Sequence, residues 1–464
     1  MIYLLFGTGD YYRRYQKWFD KEEVAALLDN AADKQGTRID GKAVLAPEDG
    51  VRLDYDRIVI LSFYVREMKR QLIDLGVCES KICHFYQLHD IIDREKRKRP
   101  LQYYGNARQI AGLKDLKKVL LLSQDLTLGG PSLALFHAAR MLQRKGWQVV
   151  YASMIDGPLR EMLLDAQIPV VVDENLQIAG MDECEWTWNF SMLICNTINF
   201  HVFLSKRKAD IPVIWWLHDS AFFYGGVDQE VLQRIDRTGM QVVSVGPVPE
   251  RAMHEKLSDL PIGRLVYGVA DVPQKRNKQM CGSMHVVFTT IGYIERRKGQ
   301  DLLMQAIAQL DDTERESVVF YLVGQDVSEM AQCIRQQSLA MPEVKMTGTV
   351  DRETINEILE QTDVLICPSR EDPMPTVCAE AMMHAVPCIV SDATGTAEYL
   401  HDGTDGLIFQ SEDVAELVEK IRWCMRHRTM LDVMGARART VYETYFSMQA
   451  FEKSLAEAIE GCRN

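Results

Sequence analysis

The sequence predicts an α/β protein of three blocks, the last two being parallel sheets with helices on both faces that face each other across a cleft. Three observations predict it. Strand-like apolar runs alternate with amphipathic helical runs along nearly the whole chain, the pattern of parallel strands joined by crossover helices. The length of 464 residues fits about three ordinary domains. The second and third blocks repeat one strand–helix plan at similar size, which places a ligand cleft at the carboxyl ends of their strands.

The first block, 1–93, reads as a small Rossmann-like accessory domain with strands at Ile2–Phe6, Val24–Leu28, Arg57–Ser62 and Lys81–Phe85 and a helix at Val65–Leu75. Gly7-Thr-Gly9 follows the first strand and Asp29 ends the second, as in a dinucleotide fold. Tyr12 takes the third glycine's place, where bulk opposes close helix–strand packing, so nucleotide binding and a structural or docking role both stay open. Residues 94–113 read as a linker opened by the charged run Arg94–Pro100, most simply a solvated segment, with contact to anionic lipid left open.

The second block, 114–275, has strands at Lys118–Ser123, Gln148–Ala152, Pro169–Val172, Met192–Cys195, Val213–Leu217 and Gln241–Val245. Its helix Ser132–Lys145 aligns Leu135, Ala138, Ala139 and Leu142 on one face. The third, 276–446, has strands at Val286–Thr290, Val318–Val323, Val364–Cys367 and Cys388–Val390, and a helix after Ser411 striped by Val414, Leu417, Val418 and Ile421. Residues 447–464 form a closing helix expected to cross back to the second block.

Composition excludes several classes. A formal charge of −13 opposes a nucleic-acid surface. No apolar run approaches the roughly 18 residues needed to span a bilayer, and the start has neither a basic region nor a cleavage pattern. The 11 cysteines, an odd number without metal-ligand spacing, fit a reducing compartment, so a cytoplasmic location is expected. Asp54-Tyr-Asp56 reads as a plain loop before a strand, and no metal site is expected.

Four segments carry chemistry. In Pro368–Met382, an apolar strand ends at Cys367, a Pro-containing loop follows, and a helix begins near Thr376. A helix N-terminus offers unpaired N–H groups to a diphosphate. Asp372 in the loop and Glu380 inside the helix can take hydrogen bonds from two different sets of hydroxyls. The turn Gly292-Tyr-Ile-Glu-Arg-Arg-Lys-Gly299 sets Arg297 and Lys298 at another helix start, where cations would stabilise a departing diphosphate; a basic solvated turn is the plain alternative. Gly129 and Gly130 let backbone approach a ligand closely after the strand Lys118–Ser123. His218 and Asp219 end the strand Val213–Leu217, where the cleft opens. The next residues, Phe222-Phe-Tyr224, would shape either the acceptor side or an aromatic core.

The eight-position spacing from Asp372 to Glu380 resembles the carboxylate-x7-Glu signature of glycosyltransferase family 4, the retaining enzymes of the GT-B fold. The first acid of that family is usually Glu. Tyr293 stands where an Arg is usual, a role Arg296 is then placed to take. The first block resembles the Rossmann-like domain fused to bacterial polysaccharide-biosynthesis enzymes, in which Gly36–Val44 also fits.

The resemblance implies a GT-B fold of two facing Rossmann-like domains. It makes His218, Asp372 and Lys298 the catalytic residues. Gly129, Gly130, Gly292, Arg297, Lys298, Met374, Pro375, Thr376, Val377 and Glu380 become the donor-binding set. Asp372 would hold hydroxyls of the transferred sugar with backbone help from Met374 to Val377, and Glu380 the nucleotide ribose. The expected reaction is metal-independent, retaining transfer of a hexosyl or other glycosyl group from a nucleoside-diphosphate sugar to a saccharide, lipid-linked or free, in polysaccharide biosynthesis. No cofactor is expected beyond that co-substrate, and a peripheral contact with the inner membrane face stays open. A nucleotide-sugar 2-epimerase and a non-catalytic sugar-nucleotide-binding subunit are the alternatives.

Overall fold

The computed structural model describes residues 1–112, 117–272, 285–325 and 327–462. The expected boundaries at 113/114 and 275/276 lie at or within the intervals outside those residues.

Three sheets follow one another along the chain. The first joins β1 (Tyr3–Phe6), β2 (Val24–Leu28), β3 (Arg38–Ile39), β4 (Lys42–Leu45), β5 (Arg57–Ile60) and β6 (Ile82–His84) in the order β3-β4-β2-β1-β5-β6. Only β3 runs antiparallel to its neighbour. The second contains β7 (Gln102–Tyr104), β8 (Lys118–Ser123), β9 (Gln148–Ser153), β10 (Val170–Val172), β11 (Met192–Asn196), β12 (Val213–Leu217), β13 (Met240–Ser244) and β14 (Gly263–Arg264). Their order is β14-β13-β12-β11-β8-β9-β10-β7. The third orders β17-β16-β15-β18-β19-β20 from β15 (Val286–Ile291), β16 (Val318–Val323), β17 (Val344–Gly348), β18 (Val364–Cys367), β19 (Cys388–Ser391) and β20 (Leu407–Phe409), all parallel.

The central strands are apolar on both faces because helices cover both faces. The helix Gly130–Arg144 buries Leu135, Ala138, Ala139 and Leu142 against the second sheet. The helix Val414–Arg426 buries Leu417, Val418 and Ile421 against the third. At the C-terminal end, Met448–Gly461 lays Phe451, Leu455 and Ile459 into the core of the second sheet. Phe451 stacks on Trp216 at 5.5 Å, and the Gln241 amide donates to the Gly461 carbonyl at 2.8 Å.

The charged run Arg94–Pro100 is mostly exposed, but Arg97 within it is buried and the chain after it joins the second sheet. Gln102–Tyr104 forms β7, antiparallel to β10 at the sheet edge. Arg97 is buried, with Nη1 2.9 Å from Glu183 Oε1 and 2.7 Å from His89 Nδ1. A guanidinium tolerates burial when acceptors meet its N–H groups, and the local charge pattern gives no sign that Glu183 lies opposite. β3, β14, β17 and β20, which the sequence pattern did not reveal, are edge strands, and β4, also unpredicted, lies one strand in, between β3 and β2. Among the described residues no helix is long and apolar enough to cross a membrane.

Candidate active site

Three segments meet at the loop after β18. Asp372 N donates to the Ala393 carbonyl at 3.2 Å, and Gly395 N donates to the Asp372 carbonyl at 2.9 Å. The Pro373 carbonyl passes so close that a Cβ on Gly395 would lie 1.9 Å from it, and one on Gly246 2.5 Å from it. The buried Tyr267 hydroxyl donates to the Met374 carbonyl at 2.9 Å. The loop is thus clamped between the second and third blocks. It ends at Pro375, whose extended backbone starts the helix Thr376–Met383.

Asp372 is buried and its Oδ2 accepts from Lys298 Nζ at 2.5 Å, with Arg297 Nη1 3.9 Å away. Burial works against the Lys298 charge, but the Asp372 carboxylate outweighs it and holds the ammonium above its ordinary pKa. Arg297 also donates to Glu295 at 2.7 Å and to the Glu371 carbonyl at 3.1 Å. Arg296 and Tyr293 are not among the cleft-lining residues, and the Tyr293 side chain is exposed. Gly292 adopts φ +148° in a turn crossed tightly by Gly324.

Glu380 sits inside the otherwise apolar helix, 3% exposed. Its Oε1 accepts from Arg352, and its buried Oε2 has no hydrogen-bond partner among the described residues. A buried carboxylate oxygen left without a donor is costly.

On the facing side, Asp125 builds the Gly129–Gly130 turn. Its Oδ1 accepts from Thr127 N at 3.0 Å, Thr127 Oγ1 at 2.6 Å and Ser132 Oγ at 3.0 Å. His218 is buried beside Trp216, and its Nε2 has no partner among the described residues. Burial drives its pKa down to about 3, so the ring is neutral. Asp219 Oδ2 accepts from Ile198 N at 2.7 Å, and burial raises its pKa to about 7. Thr197, a β-branched residue, holds φ +88°, a strained conformation fixed by Trp215 Nε1 donating to its carbonyl at 2.8 Å.

These walls enclose a cleft of about 360 Å³. Of the predicted residues it brings together Gly130, His218, Arg297, Lys298, Asp372, Met374, Pro375 and Thr376. Gly129, Gly292, Val377 and Glu380 stand outside its lining. Sequence reasoning missed Asp125, Thr197, Tyr267 and Arg352. Asp125, two residues before Thr127, carries an Asx-turn signal that could have found it. The others depend on partners far along the chain. Among the described residues no three His, Cys, Asp or Glu side chains gather as metal ligands.

Residues 271–441 match the family described as glycosyl transferases group 1, and residues 2–83 match the one described as C2185-like, N-terminal. The lipopolysaccharide glucosyltransferase WaaG of Escherichia coli is 23% identical over 184 residues, 39% of this chain and 46% of that protein. An uncharacterized 41.2 kDa protein in the cps region of Klebsiella pneumoniae is 27% identical over 129 residues, 28% of this chain and 34% of that protein. The chain thus spans less than half the length of these two relatives. Among solved structures, Anabaena HepE in complex with UDP and glucose superposes with a TM-score of 0.61 at 20% identity, over 75% of this chain and 100% of that one. The apo lipopolysaccharide outer core galactosyltransferase WaaB gives 0.59 at 13%, over 74% and 99%. With the two facing sheets and the cleft between them, these matches give the chain the GT-B fold, with residues 271–441 matching the group 1 glycosyl transferases and residues 2–83 the C2185-like N-terminal domain.

Proposed function

We propose that the protein is a retaining glycosyltransferase that moves a hexose from a UDP-sugar to a saccharide hydroxyl, without a metal. The observation that carries this reading is the pair of half-buried Lys298 and buried Asp372, in the loop leading to the helix Thr376–Met383, facing the open Nε2 of His218 across one cleft. Donor binding belongs to 276–446 and acceptor binding to 114–275. UDP is the nucleotide of choice because HepE, of the same fold, is known with UDP and glucose.

The chemistry follows from the charges. As the bond between sugar C1 and the β-phosphate oxygen breaks, Lys298, Arg297 and the N–H groups of Thr376 and Val377 stabilise the leaving diphosphate. Pro375 has no N–H and shapes the wall. Asp372 and neutral His218 hold sugar hydroxyls, and Glu380 takes the ribose through its open Oε2. The acceptor oxygen bonds to C1 from the leaving group's side and gives its proton to the departing phosphate oxygen. The positive charge supplied by Lys298 and the helix does the work a bridging metal does elsewhere. A lipid-linked acceptor would bring the protein to the cytoplasmic membrane face.

Calorimetric titration of UDP tests the site. Lys298→Ala and Glu380→Ala should each weaken binding at least about tenfold, the size of a lost charge-assisted hydrogen bond. Unchanged affinity in both sinks the assignment. His218→Ala should keep UDP affinity and slow UDP-glucose turnover on the order of a hundredfold. Proton NMR of the product should show the donor's anomeric configuration, with EDTA leaving the rate unchanged. Conversion of the donor to its 2-epimer without any acceptor would overturn the transfer reading.

A further inference from the structure

The N-terminal sheet has the place where an open α/β sheet binds ligands, and there the chain itself engages the groups that would hold one. Its order sets β1 between β2 and β5, so the crevice lies at the carboxyl ends of β1 and β5. Gly7 closes one side: it adopts φ +104°, and a Cβ there would lie 2.7 Å from the Leu61 carbonyl oxygen. Asp29, positioned where a ribose acid would stand, is already engaged by Thr8 N at 3.0 Å, Thr8 Oγ1, Ala31 N at 2.9 Å and Lys34 Nζ at 3.4 Å. Beyond them Tyr11 packs on Phe63 at 4.2 Å, and Phe63 meets Phe222 at 5.0 Å and Phe223 at 4.5 Å. These two phenylalanines follow His218-Asp219, and Phe223 lines the cleft.

A second link runs in parallel. The Tyr86 hydroxyl donates to Asn199 Oδ1 at 2.6 Å, and the Asn199 amide donates to Gln124 Oε1 and, at 3.3 Å, to Thr197 Oγ1. Gln124 and Thr197 line the same cleft wall. Thr197 is the strained residue, and a strained backbone persists only where its surroundings over-determine it.

We propose that the N-terminal domain is a positioning module for the acceptor-side wall of the cleft and not a second nucleotide site, with Phe63 acting through Phe223 and Tyr86 acting through Asn199 on Gln124 and Thr197. The proposal rests on the glycosyl-transfer reading of that cleft. UDP itself is placed on the opposite wall, so a fault in this module should reach turnover and spare UDP affinity.

The test uses the full chain, with UDP-glucose hydrolysis as turnover (water in the acceptor's place), UDP calorimetry, and hydrogen exchange of 197–201 and 218–226. Tyr86→Phe removes one hydroxyl. It should lower kcat about three- to tenfold, the worth of one neutral hydrogen bond, with UDP affinity within about twofold. Exchange in both segments should rise. In an Asn199→Ala background the same change should add nothing, because the two residues act as one unit. Phe63→Leu should repeat the pattern through 218–226. Unchanged exchange in both segments, losses that add in the double variant, or two UDP bound per chain would each overturn the proposal. A wild-type protein that neither binds UDP nor hydrolyses UDP-glucose would instead defeat the glycosyl-transfer reading, and the exchange data would still decide this one.

Discussion

His218 and Asp219 are adjacent at the end of β12, yet burial moves their protons in opposite senses. The imidazole loses its charge more easily, and the carboxyl keeps its proton longer. Asp219 therefore has a folded pKa of about 7 against an ordinary value of 3.8. Between those values the folded state binds a proton that the unfolded chain has released, so this group's stability is full at low pH and is lost as pH rises through the folded value. His218, shifted from 6.5 to about 3, acts with the opposite sign, its share growing as pH rises across that interval. The two partly offset, so the carboxyl is isolated only by difference. Asp219→Asn keeps an oxygen for Ile198 N and has no charge to bury. The variant's melting temperature, taken relative to wild type, should rise from about pH 5 to about pH 8. A constant difference across that range contradicts the assignment. The two acids of the spaced pair also differ: Asp372 already has its cation, whereas Glu380 keeps one oxygen without a partner among the described residues.

At the scale of elements, the site depends on turns that admit no side chain. Gly299 and Gly348 have nearly the same φ, +70° and +71°. They differ in surroundings: a Cβ on Gly299 would stand 2.0 Å from the Pro368 carbonyl oxygen, whereas one on Gly348 meets nothing within 4 Å. Gly348→Ala should therefore cost only the left-handed penalty, about 1–2 kcal/mol. Gly299→Ala must also displace the start of the loop that carries Asp372, next to Lys298. Its melting temperature should fall well below that of Gly348→Ala, and UDP affinity should fall with it. Equal losses for the two would show that the close approach of Gly299 to Pro368 has no energetic weight.

For the whole molecule, the closing helix joins the two ends of the GT-B half. Phe451 is fully buried and stacks on Trp216, whose neighbour across the strand end is His218. Phe451→Ala should destabilise the protein by about 3–5 kcal/mol, the usual cost of an emptied aromatic site. Leu339→Ala, at a side chain 85% exposed, should change stability by less than about 0.5 kcal/mol. Thermal unfolding of the two variants side by side checks this, and a similar small effect for both would mean that the helix is not part of the core.

What the sequence determined by itself was periodic or local. The strands Lys118–Ser123, Val213–Leu217, Val318–Val323 and Val364–Cys367 stand where their apolar runs end, because a central strand of a parallel sheet is buried on both faces and has no polar side to blur its limits. Asp372, Glu380, Arg297 and Lys298 were legible because a strand, a loop and a helix start are contiguous in the chain. Only the tertiary structure decided which residues meet across it. The fate of Arg97 rests on Glu183, the strain of Thr197 on Trp215, and the packing of Phe63 in the first domain on two phenylalanines far along the chain. Each of these is a contact of high sequence separation, and its energy comes from burial and geometry that no local pattern of residues encodes.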